Sequence, residues 1–325
     1  MSLPSLNLPV LPTTVVGSFG KPTYLLKAMR EFKKGAIDKT ALKKAQMQAL
    51  DEIIELQEQI GLDVLVDGEV EREEMTIFFA ERFSGLEASD WVRSYGNRYY
   101  RKPIITDALR WTRPITVEFF KEAQARTKKP VKGMFTGPYT MVDWSFDEFY
   151  RNREMAVLDF AKQYRYEAEA LKEAGCKILQ IDEPAASVRL DEWDLFCEAL
   201  SIITKDLGMY TICHICYGDF DRMPDFSKVP VDNLDLECAN NDFSFLRGRK
   251  PFHQDISAGV FDVHTHRQTP KDELIKNLQT VLEIFPKERV WIDPDCGLRT
   301  RTRKEAFAQL KLMVEAVRKV RNRIT

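Results

Sequence analysis

Short apolar runs alternate with longer amphipathic segments along most of this chain. Eight of the runs have strand-like composition, rich in β-branched and aromatic residues and bounded by Gly, Pro or polar residues. These runs are residues 13–19, 62–69, 131–138, 177–184, 210–217, 233–239, 256–264 and 290–297. Strands that alternate with helices imply parallel pairing through crossover connections.

Most gaps between the runs carry apolar residues at helical spacing. The clearest helix-like segments are residues 40–60, 154–175, 190–207, 270–285 and 302–321. Eight strand-and-helix units in 325 residues predict an α/β fold, a single (β/α)8 TIM barrel that spans residues 1–325. A doubly wound sheet is the alternative, but the sequence has no Gly-rich phosphate loop of the dinucleotide-binding type.

A long excursion separates the second and third runs, at about residues 86–130. Its first part, DWVRSYGNRYYRKPIITDALRWTRP, is rich in aromatic residues and arginines. A connection of this length inside a compact domain is usually functional or forms a small structure of its own. Two interpretations stay open: a surface flap that packs its own aromatics, or a lid that recognises a large, flat or anionic ligand.

Charge and composition exclude several partner classes. The formal net charge is −2, so nothing favours a nucleic acid or another polyanion as partner. No apolar run approaches the roughly 18 residues that cross a membrane. The N-terminal segment lacks the basic and apolar regions of a signal peptide. Six cysteines without a disulfide-like framework suggest a reducing cytoplasm, so we expect a cytoplasmic protein.

Polar or reactive side chains end nearly every predicted strand. Examples are Ser18, Glu69, Thr136, Asp182, Glu183, His214, Cys216, Glu237, His264, Asp295 and Cys296. In a barrel these strand ends converge on one face, where the active site lies. Polar strand ends are common, so one alone means little. Metal-type ligands on three of the last four predicted strands carry more weight.

Four of these residues have the side-chain types that zinc binds. They are His214, Cys216, Glu237 and Cys296. Residues two apart in a strand share a face, so His214 and Cys216 can hold one ion between them. Imidazole, thiolate and carboxylate donors suit zinc, whereas magnesium and calcium prefer oxygen ligands. The ligands come from distant segments, which is more typical of a catalytic site than of a structural one.

The cysteine spacing allows a second interpretation. Cys213 and Cys216 form a C-x-x-C motif, which can be a redox pair. Strand alternation points Cys213 away from Cys216, and no helix starts at the motif, so the redox interpretation is disfavoured. We interpret Cys176, Cys197, Cys213 and Cys238 as small apolar residues.

Seven motifs together resemble a known family. In chain order they are VVGSF, VDGEVER, GPYTMVDWSF, LQIDEPA, HICYGDF, GVFDVH and DPDCGLRTR. They are similar to the C-terminal catalytic domain of cobalamin-independent methionine synthase, from about residue 11 to the C-terminus. The resemblance implies a zinc-containing (β/α)8 barrel that makes methionine by methyl transfer to the thiolate of L-homocysteine.

The resemblance also implies a role for individual residues. The positions that match the zinc ligands are His214, Cys216, Glu237 and Cys296. The positions that match the homocysteine-binding residues are Val16, Gly17 and Ser18, with Glu69 and Asp182 for its amino group. His264 matches the proton donor. The positions near the methyl donor are Arg98, Tyr99 and Trp144.

The methyl donor is less clear from the resemblance. Long family members carry a second, N-terminal barrel that helps to bind polyglutamate folate, and this sequence has no counterpart of it. The chain therefore resembles the short, core form, which is associated with methylcobalamin or a methyl-corrinoid protein. We expect such a donor, with 5-methyltetrahydrofolate as the alternative.

Two other classes of function remain open from the residues alone. A zinc hydrolase would use a metal-bound hydroxide, but such sites usually favour His and carboxylate ligands over cysteine. A non-catalytic zinc or thiol-binding protein would not need polar residues at nearly all strand ends. Zinc coordination deprotonates a thiol and so generates a strong nucleophile, which favours alkyl transfer.

Overall fold

The computed structural model describes residues 6–93, 99–247 and 252–324. Its α-helices are α1 Thr23–Lys33, α2 Lys39–Ile60, α3 Ile77–Ala80, α4 Val117–Gln124, α5 Pro138–Asp143, α6 Arg153–Glu173, α7 Trp193–Thr204, α8 Ser244–Arg247, α9 Lys271–Leu282 and α10 Arg303–Ile324. Its strands are β1 Ser84–Arg93, β2 Tyr99–Arg110, β3 Lys132–Thr136, β4 Phe146–Asp147, β5 Ile178–Asp182, β6 Tyr210–Ile215, β7 Asn233–Leu236, β8 Asp255–Gly259 and β9 Val290–Asp293.

Six of these strands form one parallel sheet in the order β3-β5-β6-β7-β8-β9. Nearly every residue of these strands is buried, as expected for parallel strands covered on both faces. The register pairs Thr136 with Asp182, Asp182 with His214, and His214 with Asp235. The polar carboxyl ends of the strands are therefore level with one another.

The first two predicted strands join this sheet only through isolated bridges. Thr13 pairs with Ile292 of β9, and Leu65 pairs with Val131 beside β3. The amide of Asp63 donates to the carbonyl of Thr13 at 3.0 Å, which links the two segments to each other. The two segments thus connect the edges of the six-stranded sheet. The prediction of regular strands over residues 13–19 and 62–69 is wrong in its extent.

A turn ends the second of these segments early. Gly68 and Glu69 both adopt positive φ values, of 70° and 51°. The amide of Glu69 donates to Asp67 Oδ1 at 2.8 Å, a local bond that competes with strand pairing. The chain therefore leaves the sheet at the point where it delivers Glu69 to the site.

The long excursion is a β-hairpin followed by a helix. Strands β1 and β2 pair antiparallel, and the short β4 adds to β2 in parallel. Ile105 and Leu109 of β2 are buried against the main core, whereas Trp91 is 69% exposed. One part of the hairpin is thus anchored on the barrel while another faces solvent, so neither of the two interpretations from the sequence describes it completely.

A small apolar cluster fills the interior at the amino ends of the strands. It comprises Leu6, Val64, Ile178, Tyr210, Ile212 and Trp291. The rings of Tyr210 and Trp291 stack at a centroid distance of 5.2 Å. Side chains that fill a barrel interior leave a packed core and no pore. Among the described residues, the interior is therefore packed at the amino ends of the strands, and the candidate site lies at their carboxyl ends.

The five predicted helices are confirmed as α2, α6, α7, α9 and α10, with small differences at their ends. Asp38 accepts a hydrogen bond from the amide of Ala41 and caps α2. Gly61 ends α2 in the left-handed region, at φ 86°. Within the described ranges, no helix combines the length and the apolar composition that crossing a bilayer requires.

One buried carboxylate fastens the excursion to the barrel. Glu167 of α6 is fully buried and accepts hydrogen bonds from Trp111 Nε1, the amides of Ile115 and Thr116, and Thr116 Oγ1, at 2.7 to 2.9 Å. We expect Glu167→Gln to lower the free energy of unfolding by about 2 kcal/mol, because an amide cannot accept all of these bonds. Denaturant unfolding followed by circular dichroism measures the change.

Glu169→Gln is the matched control on the same helix. Glu169 is 46% exposed and pairs with Arg165 at 2.8 Å, and exposed pairs contribute at most about 1 kcal/mol. Equal losses of stability in the two variants would contradict the role given to Glu167.

Candidate metal and substrate site

Three predicted zinc ligands come together at the carboxyl ends of the strands. The candidate ligand atoms of His214, Cys216 and Cys296 all lie within 4.8 Å of one another, and we call these residues the His–Cys cluster. Alternation along β6 puts His214 and Cys216 on one face. Cys296 follows β9 in a loop that Asp295 holds by accepting hydrogen bonds from the amides of two residues, Ala239 and Asn240.

The fourth predicted ligand, Glu237, is not part of the cluster. Glu237 is fully buried, and its Oε1 lies 2.8 Å from His264 Nε2. Its Oε2 accepts a hydrogen bond from the amide of Tyr217 at 2.8 Å. Glu237 is near enough to act electrostatically on both cysteines. The structure therefore places it beside the cluster but engaged with His264.

His214 has the environment of a metal-binding imidazole. Its Nδ1 lies 3.0 Å from Asp235 Oδ1, although the contact lacks hydrogen-bond geometry. Neither ring nitrogen has a hydrogen-bond partner within the described residues, and the side chain is buried. A buried polar atom without a partner needs an explanation. An ion bound at Nε2, with Asp235 supporting Nδ1, supplies one, so the cluster fits zinc.

The thiol pair is already polarised without a metal ion. The hydrogen bond from Cys216 lowers the pKa of Cys296 to about 5, against the effect of burial. The same contact, together with burial, raises the pKa of Cys216 well above its ordinary value. Burial would lower the pKa of His214, but Asp235 and Cys296 hold it well above the ordinary range. Cys296 is therefore the thiolate of the metal-free cluster.

Several residues predicted to bind the amino acid lie near one another or near the cluster. Gly17 leaves room for Glu69, because a Cβ at residue 17 would lie 2.9 Å from Glu69 Oε1. Ser18 lies against Gly297, next to the last cysteine of the cluster. The structure thus brings residues of the first two segments to the cluster, as the sequence predicts.

The two predicted substrate carboxylates, Asp182 and Glu69, lie near each other, and Asp182 is also near His214. Burial raises the pKa of Asp182 to about 6, and the nearby charge of Glu69 adds to the rise. His214 and Arg72 oppose that rise. Arg72 NH1 lies 3.7 Å from Glu69 Oε1. Two nearby carboxylates, one of them buried, favour a cationic group such as an ammonium beside them.

His264 lies at the edge of the site and remains partly accessible. Its side chain is 31% exposed, and its ring packs against Tyr217 at a centroid distance of 4.9 Å. The hydrogen bond with Glu237 raises the pKa of His264, against a smaller effect of burial. A protonated imidazole at this position can deliver a proton to a bound molecule.

Only part of the predicted donor-binding group is brought to one cavity. A cavity of about 290 Å³ is lined by Glu74, Thr76, Tyr100, Lys102 and Trp144. The predicted residue Trp144 is therefore in its wall. Tyr99, also predicted, is 56% exposed and is not among the lining residues, whereas its neighbour Tyr100 is. Arg98, the third prediction, lies outside the described residues.

Sequence reasoning missed several polar residues near the site. Asp235 precedes Glu237 by two residues in NLDLE, so strand alternation alone places both on one face. Gln180 bears the same relation to Asp182. His266, which follows His264 by two residues and for which a surface role is expected from the sequence, is not one of the missed residues: it is 69% exposed, and its Nδ1 lies 3.0 Å from Glu305 Oε1.

Comparisons with known proteins identify the family of this chain. Residues 11–319 match the catalytic-domain model of the cobalamin-independent synthases. A methionine synthase of Saccharolobus solfataricus is 38% identical over 98% of this chain and 97% of its own length. A methionine synthase of Sulfurisphaera tokodaii is 36% identical over 98% of this chain and 95% of its own length.

A solved structure has the same fold. It is a B12-independent methionine synthase from a Shewanella species, with a TM-score of 0.83 and 24% identity over 96% of this chain and 98% of that chain. This likeness confirms the predicted α/β barrel class.

The polarised thiols predict selective alkylation. Iodoacetamide reacts with thiolates, so metal-free protein should be modified first at Cys296, with a half-maximal rate near pH 5. Mass spectrometry after brief exposure to iodoacetamide at a series of pH values identifies the modified cysteine and gives the rate of alkylation at each pH. Cys197 is the internal control, because burial raises its pKa to about 12. Half-maximal alkylation of Cys296 above pH 8 would contradict the assignment of the thiolate.

Proposed function

Because the chain belongs to the cobalamin-independent methionine synthase family, we propose that it methylates the thiol of L-homocysteine at a zinc ion. The family consists of methyltransferases, and the expectation of an enzyme of this class is confirmed. The observation that carries the zinc and homocysteine assignments is the His–Cys cluster next to two carboxylates, Glu69 and Asp182. A thiol-binding metal and an ammonium-binding pocket side by side match the two ends of homocysteine.

The chain supplies donors for the ion. His214, Cys216 and Cys296 would hold zinc, with Glu237, whose Oε1 contacts His264, as the fourth ligand. When bound, zinc lowers the pKa of a thiol, so that the substrate sulfur reacts as a thiolate at neutral pH. Two cysteine ligands reduce the Lewis acidity of the ion, which suits thiol chemistry better than water activation. This ligand chemistry argues against the zinc hydrolase alternative.

The two carboxylates orient the amino acid. Asp182 and Glu69 would pair with the substrate ammonium, and the absence of a side chain at Gly17 leaves room for the Glu69 carboxylate. Ser18, beside Gly297, would hydrogen-bond the substrate carboxylate. A substrate fixed at its ammonium has its sulfur directed to the cluster, and such positioning lowers the entropic part of the barrier to methyl transfer.

His264 would supply the proton that the leaving group needs. Its pKa is raised by Glu237, so the imidazole is more readily protonated at neutral pH than a free one. Its partial exposure lets it meet a molecule bound across the mouth of the barrel. A methylated nitrogen leaves readily only when it is protonated, whereas a cob(I)alamin leaving group needs no proton.

For the methyl donor, the comparisons favour the alternative, 5-methyltetrahydrofolate, over the corrinoid donor expected from the sequence. The matching family is described as cobalamin-independent. A cavity of about 290 Å³ is at the lower limit of small-molecule sites, so it suits one flat ring system better than a corrin macrocycle. Trp144 and Tyr100 offer aromatic faces there, and Lys102 offers a cation for an anionic tail. We propose 5-methyltetrahydrofolate as the donor.

Metal content tests the first part of the proposal. The purified protein should contain about one zinc per chain, and both His214→Ala and Cys296→Ser should lose zinc and methionine formation. Inductively coupled plasma spectrometry and product analysis measure the two properties. Cys213→Ser is the control, since Cys213 is buried on the other face of β6 and should keep both. Full turnover in zinc-free protein would overturn the mechanism.

A donor panel tests the second part. With 5-methyltetrahydrofolate and homocysteine, His264→Gln should reduce turnover by about 10²-fold, which is the usual contribution of a general acid. With methylcobalamin, any turnover should be slower in wild type and insensitive to His264→Gln. His266→Gln is the matched control, because His266 is exposed and pairs with Glu305. Faster turnover with methylcobalamin, unchanged in His264→Gln, would restore the corrinoid donor.

A further inference from the structure

Four polar side chains lie inside the barrel, one step below the candidate site. They are Lys132, Gln180, Asp235 and Asp293, each at most 2% exposed, and we call them the interior polar layer. Gln180 shares a face of β5 with Asp182, and Asp235 and Asp293 lie near the ends of β7 and β9, two positions before Glu237 and Asp295. Barrel interiors are usually filled by branched apolar side chains. Burying charges here costs free energy, and the proposed function gives no role to Lys132, Gln180 or Asp293.

One side of the layer reaches the substrate pocket. Lys132 Nζ donates to Gln180 Oε1. Gln180 Nε2 in turn donates to Asp182 Oδ1 at 2.7 Å and to the carbonyl of Val16 at 2.8 Å. A lysine ammonium has donors only, so it forces the amide oxygen of Gln180 to face it. The amide nitrogen is thereby directed at the two substrate-binding positions.

The other side of the layer reaches the metal ligand. The carboxylates of Asp235 and Asp293 act electrostatically on Lys132. Within the described residues, their oxygens have no hydrogen-bond donor. Burial lowers the pKa of Lys132, and these nearby carboxylates act in the opposite direction, in favour of its charged form. Asp235 Oδ1 lies 3.0 Å from His214 Nδ1, and the register pairs the two residues on adjacent strands. A carboxylate at this position fixes the tautomer and orientation of a metal-binding histidine.

We infer that Lys132 is a positioning residue for both halves of the site. Through Gln180 it orients Asp182 and the carbonyl of Val16, and through Asp235 it orients His214. This inference rests on the proposed function, because it assigns the two ends of the relay to homocysteine and zinc. One buried lysine, remote from both zinc and homocysteine, thus sets the affinity of the protein for each of them.

Three substitutions separate the two branches. Gln180→Met should weaken L-methionine binding by about tenfold or more and leave the zinc dissociation constant within about twofold of wild type. Asp235→Ala should weaken zinc binding by about 10- to 100-fold. Lys132→Met should weaken both. Chelator competition gives the zinc constant, and calorimetry of the zinc-loaded protein with L-methionine, a ligand without a thiol, gives the other.

Glu167→Gln is the control for loss of stability alone. Its carboxylate is also fully buried but contacts the excursion, so this variant should unfold at a lower temperature while both constants stay unchanged. If Lys132→Met does not fold, Lys132→Met with Asp293→Asn removes the lysine together with a facing charge, and the same two losses are expected.

Two results would overturn the inference. One is a folded Lys132 variant in which only the unfolding temperature changes and both dissociation constants stay as in wild type. This result is expected if Lys132 has a purely structural role. The other is a Lys132 variant that weakens one constant alone, which would mean that the branches are not coupled through it. Wild-type protein that binds neither zinc nor L-methionine would instead overturn the proposed function, and the inference with it.

Discussion

The in-register parallel pairing of the central strands is the constraint on which the site depends. Hydrogen bonding across β3, β5, β6 and β7 sets Thr136, Asp182, His214 and Asp235 at one level. Residues far apart in the chain therefore become neighbours without any long loop to carry them. A slip of one residue in any strand would turn its functional side chain to the opposite face.

Burial then gives these level residues their chemistry. In water, Cys296 and Asp182 would have ordinary thiol and carboxyl pKa values, but in the barrel they move in opposite directions. The neighbours of Cys296 stabilise its thiolate and lower its pKa, whereas desolvation and a nearby carboxylate raise the pKa of Asp182. Such opposed shifts within one small region are typical of functional sites. The anionic forms of these side chains would also favour the binding of a metal cation and of an ammonium group.

The interior changes character along the barrel axis. At the amino ends of the strands, Tyr210 and Trp291 stack in a small apolar cluster. One layer above, Lys132 and its carboxylate neighbours replace the usual branched residues. Deeply buried charges destabilise the folded protein unless opposite charges or hydrogen bonds compensate them. Here they lie beside His214 and Asp182, and the positioning role proposed for Lys132 would account for their cost.

Local pattern determined the helices, the buried strands and the shared face of His214 and Cys216, because periodicity depends only on neighbours in the chain. It also suggested the convergence of His214, Cys216 and Cys296, since strand ends meet in any barrel. Only the tertiary structure decided that Glu237 contacts His264, that Tyr100 and not Tyr99 lines the cavity beside Trp144, and that residues 13–19 join through single bridges. The hairpin pairs with irregular register, which no single-strand pattern encodes. Such contacts depend on how separate segments align in space, and that alignment is set by the packing of the whole barrel.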